Sequence, residues 1–414
     1  MKSKTLVLES GKCSHSGCVF CGYAKEKPVL VDSVILKAKT DQALFEPTDE
    51  LKIFSSGSFL DEKQFPREFR QYLAKKCREK NIKLIIESRP EFVTDETLSD
   101  FKGINLSVAI GLEVADNDTL KKINKGFTIE DFIKASETLH RNNFKLRAYV
   151  LVNPPFVKDI RKSLMKTVEF AKKHSDSIVI INMLPHYKAP LFYLWLKGQW
   201  HPINKKQFHD LTKNIEDVEK DPETFRFTPR FPNKEKKFWR GVGGECLENP
   251  HYRVWQEYIS DWYEVPENKE IALFLPCSYK KPYSKSKTHT LIYQTLKKIP
   301  NKKKIHRIVI SSPGVIPFEF NNKYPFNAYD WDESLETPEI KKEYIRVNKQ
   351  RVKNYLKNHK YEKILCFYKP SSESYAALAK ACEELGLELT NCIKEDMPLH
   401  SEKALEQLKS TILA

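Results

Sequence analysis

Three cysteines, Cys13, Cys18 and Cys21, crowd into one short Cx4CxxC loop that directly follows the first apolar run of the chain, Thr5–Leu8. Three thiolates can hold three corners of a [4Fe-4S] cube and leave the fourth iron open to a ligand, to which a strongly reducing cluster can pass one electron. With His15 added, the same loop could instead supply a tetrahedral zinc set, because CxxC hooks commonly ligate zinc. A second stretch, PCSYKKPYSKSKTH at Pro276–His289, places the thiol of Cys277, the amine of Lys281, the phenol of Tyr283, the hydroxyl of Ser286 and the imidazole of His289 just after another apolar run. The end of a strand is the usual place for a site in an open α/β sheet. The bland alternative is a proline-shaped turn around a buried cysteine. Cys77, Cys366, Cys382 and Cys392 lie in apolar settings and read as buried, inert thiols.

These side chains must be held by elements that the hydrophobic pattern makes visible. From Leu6 to about Met183, short runs rich in Ile, Val and Leu alternate with longer helical periodicities, which predicts repeated βα units. Strands are expected at Thr5–Leu8, Leu51–Ser55, Lys83–Glu87, Leu106–Leu112, Leu146–Val152 and Ile178–Met183. Helices are expected at Pro66–Lys80 and at Ile129–Asn142, the second opened by Thr128 as its N-cap. Right-handed crossovers between parallel strands would then build a partial (β/α)6 barrel with its chemistry at the C-terminal ends of the strands. Residues 187–265 show one clear helix, near Lys205–Lys220, and read as a closing extension followed by a linker. A second α/β pattern starts at Lys269, with strands at Ile271–Leu275, His306–Ser311 and Lys363–Phe367. Its helices are expected at Thr288–Lys298 and at Ser371–Leu385, the latter ending on Gly386. The organisation predicted is a barrel over 1–235, a linker over 236–267 and a smaller open, Rossmann-like, three-layer α/β domain over 268–414.

The chain has 414 residues, enough for about two domains. No run of roughly 18 apolar residues occurs, and MKSKTLVLESGKC lacks a signal peptide's apolar core, so a soluble cytoplasmic protein without a membrane partner is expected. Nine cysteines, an odd number with three of them clustered, favour metal binding over disulfides. The formal charge of +15 favours a polyanionic partner such as tRNA, although a lysine-rich solvated surface would read the same way.

Several further motifs occur in the order and at the strand ends seen in the radical S-adenosylmethionine (SAM) protein of archaeosine synthesis, which the first half of the chain resembles. They are KIFSSGSFLDE (Lys52–Glu62), ESRPEF (Glu87–Phe92), AIGLEVA (Ala109–Ala115), INKGFT (Ile123–Thr128) and AYVLVNPPF (Ala148–Phe156), together with CGY at Cys21–Tyr23. The cysteine loop departs by one residue from the usual Cx3CxxC spacing. The resemblance implies a [4Fe-4S] cluster on Cys13, Cys18 and Cys21, SAM as the ligand of its open iron, and an electron donor such as ferredoxin. It also implies that Ser56, Gly57 and Ser58 border the methionyl amino group of SAM. Glu87, Arg89 and Glu113 would hold the SAM carboxylate, its ribose or the substrate's amino acid portion, with Asn153 and Asn182 as weaker candidates.

The segment Pro276–His289 resembles the core domain of archaeosine synthase, which adds lysine to the nitrile of a 7-cyano-7-deazaguanine nucleotide already in tRNA. Ser312-Pro313-Gly314 and YPFNAYD (Tyr324–Asp330) extend that likeness. Similar segments occur in archaeal tRNA-guanine transglycosylases. One chemistry the inventory permits is attack of Cys277 on the nitrile to give a thioimidate, with His289 managing protons, before free lysine displaces the sulfur. The two resemblances together imply an enzyme of archaeosine synthesis. The first half would cleave the lysine adduct in tRNA to a formamidine by radical chemistry, and either the second half or a separate archaeosine synthase subunit would add the lysine. Competing readings are a radical SAM enzyme acting on another tRNA base and a non-catalytic, zinc-stabilised tRNA-binding protein.

Overall fold

The computed structural model describes residues 2–414, which divide after Phe227 into two compact units. The first unit begins β1 (Ser3–Val7), α1 (Ser33–Ala43), β2 (Glu50–Phe54), α2 (Arg67–Glu79), β3 (Lys83–Glu87), α3 (Asp95–Ser99) and β4 (Leu106–Glu113). It continues α4 (Asn117–Lys122), α5 (Ile129–Arg141), β5 (Lys145–Val152), α6 (Ile160–His174) and β6 (Ser177–Asn182). The last elements are α7 (Pro190–Leu196), α8 (Lys205–Thr212) and β7 (Glu219–Asp221). All seven strands pair in parallel and in sequence order, and the sheet curls into a half-barrel. Each expected strand forms close to its predicted ends, because β-branched runs in parallel sheets are buried on both faces and stand out in the sequence.

Two local expectations change. The helix expected to reach Lys220 stops at Thr212, and Glu219–Asp221 becomes a seventh strand on β6. Its residues, Glu-Lys-Asp, carry no apolar signal. The strand is held by β6 and by Arg147 of β5, whose guanidinium grips the Glu219 carboxylate with both terminal nitrogens. The helix α7 lies in aromatic sequence whose periodicity is poor, but Pro190 sits at its first turn, a position that favours proline.

The second unit runs β8 (Trp239–Gly241), α9 (Glu245–Glu248), α10 (Pro250–Asp261), β9 (Ile271–Leu275), α11 (Lys287–Lys297), β10 (Ile305–Ser311) and β11 (Gly314–Pro317). It ends with β12 (Tyr329–Trp331), α12 (Pro338–Asn358), β13 (Lys363–Cys366), α13 (Glu373–Leu385), β14 (Thr390–Asn391) and α14 (Glu402–Leu413). The sheet order is β11-β10-β9-β13-β14, parallel except for the β10–β11 hairpin. The chain leaves β9 toward β10 and later crosses to β13 on the other side. Right-handed crossovers in opposite directions place α11 on one face and α12 and α13 on the other. This is the expected three-layer arrangement, and Gly386 ends α13 in the left-handed conformation with φ 64°.

The segment 236–267 is not a linker. β8 pairs with β12, and Gln256 of α10 exchanges two 2.9 Å hydrogen bonds with the backbone of Val315, so α10 caps the edge strand β11. His251, Tyr252, Val254 and Trp255 of α10 are buried. The chain therefore divides at Phe227, ahead of the boundary expected at residue 235. Among the described residues no helix is long and apolar enough to cross a membrane.

One buried ion pair fixes the outer layer of the first unit. Arg70 of α2 meets Asp100 at 3.1 Å, both side chains almost fully buried, and also donates to the carbonyl of Phe65 at 3.0 Å. Removing one partner strands the other charge out of water, which costs about 3–5 kcal/mol. Asp100→Ala is expected to lower unfolding stability by that amount in denaturant titration. A loss below about 1 kcal/mol would show that Arg70 is satisfied without the carboxylate.

Candidate functional site

The cysteine loop leaves β1 and is clamped from two sides. On one side, the amide of Gln64, fully buried, donates to the carbonyls of Ser10 (3.2 Å) and Ser56 (3.0 Å) and accepts from Ser58 N at 2.8 Å. The hydroxyl of Ser14 reaches the Asp61 carboxylate. On the other side, Val19 N donates to Ile123 O at 2.9 Å, Asn124 Nδ2 donates to Gly17 O at 2.9 Å, and His15 Nε2 bonds Asn124 O at 2.7 Å. The imidazole of His15 lies where a side chain on Gly126 (φ 76°) would go, which only glycine permits. KIFSSGSFLDE, at the end of β2, and INKGFT, after α4, thus form the two jaws that grip the loop.

His15 Nε2 is held by the second jaw through Asn124 O. Among the described residues no group of three His, Cys, Asp or Glu side chains converges on a point suited to a single metal ion. The three thiols nevertheless feel one another: Cys21 raises the pKa of Cys18, and Cys13 raises that of Cys21. Burial pushes both Cys18 and Cys21 up first, and the backbone N–H groups of Ala24 and Tyr23 counter this at Cys21 by donating to its sulfur.

Behind Cys18 lies a charged group at the C-terminal ends of β3 and β4. Glu113 ends β4 after a bulge, with a left-handed φ of 63°, and its carboxylate meets Lys125 Nζ at 2.5 Å, both residues buried. Arg89 donates to the Lys125 carbonyl at 2.9 Å, meets Glu91 at 2.5 Å and lies over the ring of Phe127. Lys125 is also over Phe20 and Phe127. Burial lowers the pKa of Lys125, but Glu113 and Cys18 more than offset this and hold it charged.

Of the residues expected around SAM, the structure brings Glu87, Arg89 and Glu113 into one group beside the cysteines. The Ser56-Gly57-Ser58 turn follows β2 and packs against Gln64. Ser58 is buried, its hydroxyl accepting from Arg89 N at 3.0 Å, and the space beside Gly57 (φ 133°) is filled by the Gln64 amide. Asn153 donates to His201 O, and Asn182 donates to the carbonyls of Ile203 and Pro222, so both hold the segment after β6. Lys125, Gln64 and Tyr149 are site residues that sequence reasoning missed. Lys125 lies inside a quoted motif, and Tyr149 is two residues from Arg147 on β5, hence on the same face. Gln64 carries no sequence signal.

Glu87 ends β3 with its carboxylate accepting from Ser55 N at 3.2 Å and hydrogen-bonded to Tyr149. Burial pushes its pKa to about 7, with Glu113 adding to the rise, while Ser55, Tyr149 and Lys125 oppose it.

In the second unit the stretch after β9 sits where the chain reverses direction across the sheet, the crevice that open α/β folds use. Cys277 lies there, hydrogen-bonded to Ser311 and next to Lys281, whose ammonium is over the Tyr329 ring at 4.1 Å. Burial pushes the thiol up and the amine down. Tyr283 is fully buried and its hydroxyl meets that of Tyr329, which donates to Ser311 at 2.7 Å. Ser286 is the N-cap of α11, accepting from His289 N. His289 donates from Nε2 to the Pro276 carbonyl at 2.9 Å, and its pKa falls to about 4 through burial. That bond fixes the tautomer and leaves the buried Nδ1 without a hydrogen-bond partner. Ser311, Tyr329 and Tyr344, also beside Cys277, were not picked from the sequence.

Comparison with known proteins follows the same division. Residues 10–171 match the Radical SAM superfamily, and residues 252–412 match a family described as a Domain of unknown function (DUF5591). The chain is 33% identical over 220 residues to archaeosine synthase subunit beta of Methanosarcina acetivorans, covering 49% of this chain and 63% of that protein. It is 30% identical over 204 residues to the corresponding subunit of Thermococcus kodakarensis, covering 45% and 62%. It is also 33% identical over 130 residues to archaeosine synthase subunit alpha of Thermoplasma acidophilum, covering 30% and 23%. The chain thus spans less than two thirds of each of these relatives.

The state of Glu87 yields a test. Its folded pKa of about 7 lies above the ordinary 4.5. The protonated form is therefore favoured by folding, and stability falls as pH rises from about 4.5 through about 7, by up to about 3 kcal/mol. Glu87→Gln is expected to flatten this slope, so that the variant gains on the parent above pH 7 in thermal melts. Parallel curves from pH 5 to 8 would show that the carboxylate is already ionised.

Proposed function

We propose that this chain is a tRNA-modifying enzyme of archaeosine synthesis whose first unit binds a [4Fe-4S] cluster on Cys13, Cys18 and Cys21 together with SAM. The observation that carries the reading is the clamped cysteine loop set against Glu87, Glu113 and Lys125 at the strand ends, within the segment that matches the Radical SAM superfamily. The donors suit a cluster with an open iron: three neighbouring thiols, with backbone N–H groups on one sulfur. When bound, the pair supplies a 5′-deoxyadenosyl radical able to take hydrogen from an unactivated carbon, here in the lysine side chain attached to the deazaguanine base, so that C–N cleavage leaves a formamidine. The protein's own part is to hold and orient. The two jaws fix the loop, Lys125 and Glu113 set the charge beside Cys18, and Glu87 with Tyr149 presents a carboxyl group near the cysteines whose protonation changes near neutral pH.

For the second unit two readings differ in a measurable way. In the first, Cys277 attacks the nitrile and free lysine then displaces it. Lys281, beside Cys277 and lowered in pKa by burial, takes the proton on this route. In the second, the unit binds the base or its tRNA, and a separate subunit adds lysine. The capping role of Ser286 and the sealed Tyr283 favour the second. The net charge of +15 accords with tRNA as the partner in both.

The test is 5′-deoxyadenosine formation by anaerobically reconstituted protein with SAM and dithionite. Cys18→Ala is expected to abolish it. Dependence on nitrile-bearing tRNA plus free lysine, lost in Cys277→Ala, would establish addition by this chain. Product only from tRNA already carrying the lysine adduct would establish the binding role. A chain that takes up zinc and no iron would sink the radical reading.

A further inference from the structure

The loop that carries the cysteines is bordered by an apolar strap that the chemistry above does not use. Residues 28–35 run from the loop into the first turn of α1. Four of their aliphatic side chains face outward: Val29 is 41% exposed, Leu30 81%, Val34 76% and Ile35 52%. Single exposed aliphatics are ordinary, but four within seven residues form a patch, and apolar patches mark interaction sites. The strap is fastened to the cysteine loop: Gly11 N donates to Val29 O at 3.0 Å and Val29 N to Gly11 O at 3.2 Å. Gly11 is two residues from Cys13, at most about 7 Å along the chain. Whatever covers Val29 therefore lies close to the loop.

Charge narrows the occupant. Lys12, Lys25 and Lys27 are exposed on the same loop and strap. The nearby acids are mostly engaged: Glu26 pairs with Lys188, and Asp32 accepts from Val34 N and Ile35 N as the cap of α1, which leaves Glu9. The surface combines an apolar centre with a basic rim. A polyphosphate has no surface for Leu and Val, and unpaired bases stack on aromatic rings, which the strap lacks. A folded protein with an acidic rim fits both features.

We propose that the strap 28–35, with Lys12, Lys25 and Lys27, is the docking surface for a small acidic one-electron carrier protein that reduces the cluster. This rests on the cluster reading given above. In the step the carrier is oxidised by one electron and the cluster reduced by one, with no bond made or broken and no proton transferred. Placing the carrier on the strap keeps it close to Cys13, because Val29 is bonded to Gly11.

The experiment compares the reconstituted parent with two variants, Leu30→Asp combined with Val34→Asp, and Lys12→Glu combined with Lys27→Glu. All these side chains are exposed, so unchanged melting temperatures are expected. A purified, negatively charged [4Fe-4S] ferredoxin should reduce the cluster of each variant at least about tenfold more slowly than that of the parent, and the parent's rate should fall with added salt. Reduction by dithionite and retention of tRNA on a filter should be unchanged. Equal ferredoxin rates in parent and variants would overturn the docking surface while leaving the cluster intact. So would loss of tRNA retention or of a dimer in the variants with ferredoxin reduction preserved, which would assign the strap to RNA or to a second copy. A parent protein that assembles no cluster would remove the reading of the loop, and this proposal with it.

Discussion

A lysine and a glutamate kept out of water hold the first unit's site together. Lys125 and Glu113 are both buried and 2.5 Å apart. Desolvating such a pair costs several kcal/mol per charge, and the mutual attraction repays that only when the remaining donors and acceptors are also satisfied. Here the ammonium also faces the rings of Phe20 and Phe127, and the loop around it is held by Arg89, which donates to the Lys125 carbonyl and meets Glu91. The same loop that presents Lys125 grips His15 and Val19, so the charge beside Cys18 and the position of the cysteines are set by one piece of chain.

That arrangement uses backbone conformations that side chains ordinarily avoid. Glu113 and Asn153 end neighbouring parallel strands, each with φ 63°. Such residues cost on the order of 1–3 kcal/mol each and persist only where the surroundings overdetermine them. At Glu113 the overdetermining contact is Lys125, and at Asn153 it is the pair of hydrogen bonds to His201 O and from Trp200 Nε1. Strand ends bent this sharply aim side chains across the mouth of the half-barrel, where parallel strands all finish on one side.

The second unit solves the same positional problem differently. Its site also lies at strand ends, but it is lined by tyrosines around one thiol and one amine, both shifted by burial toward their neutral forms. A neutral thiol needs a proton acceptor before it can attack, and Lys281, its amine pushed toward the neutral form, lies beside it. Each unit thus carries its own strand-end site, one charged and one lined by aromatic rings.

The six β-branched runs of the first unit, the strand before Cys277, the capped start at Thr128 and the stop at Gly386 could all be read from the sequence. Each follows from local rules: alternation, side-chain capping and the left-handed freedom of glycine. The cysteine loop was legible for the same reason, since its ligands are close in sequence. What the chain could not show locally is what distant segments do to one another. Glu219–Asp221 is a strand because β6 and Arg147 make it one, and α10 belongs to the second unit because Gln256 finds the backbone of Val315. Gly57 makes room for Gln64, His289 is drawn to Pro276, and Lys125 becomes a site residue through Glu113 and Cys18. Residue types and short spacings decided which chemistry was available. Burial and long-range hydrogen bonding, which exist only once the chain has folded, decided which of those side chains remain available to perform it.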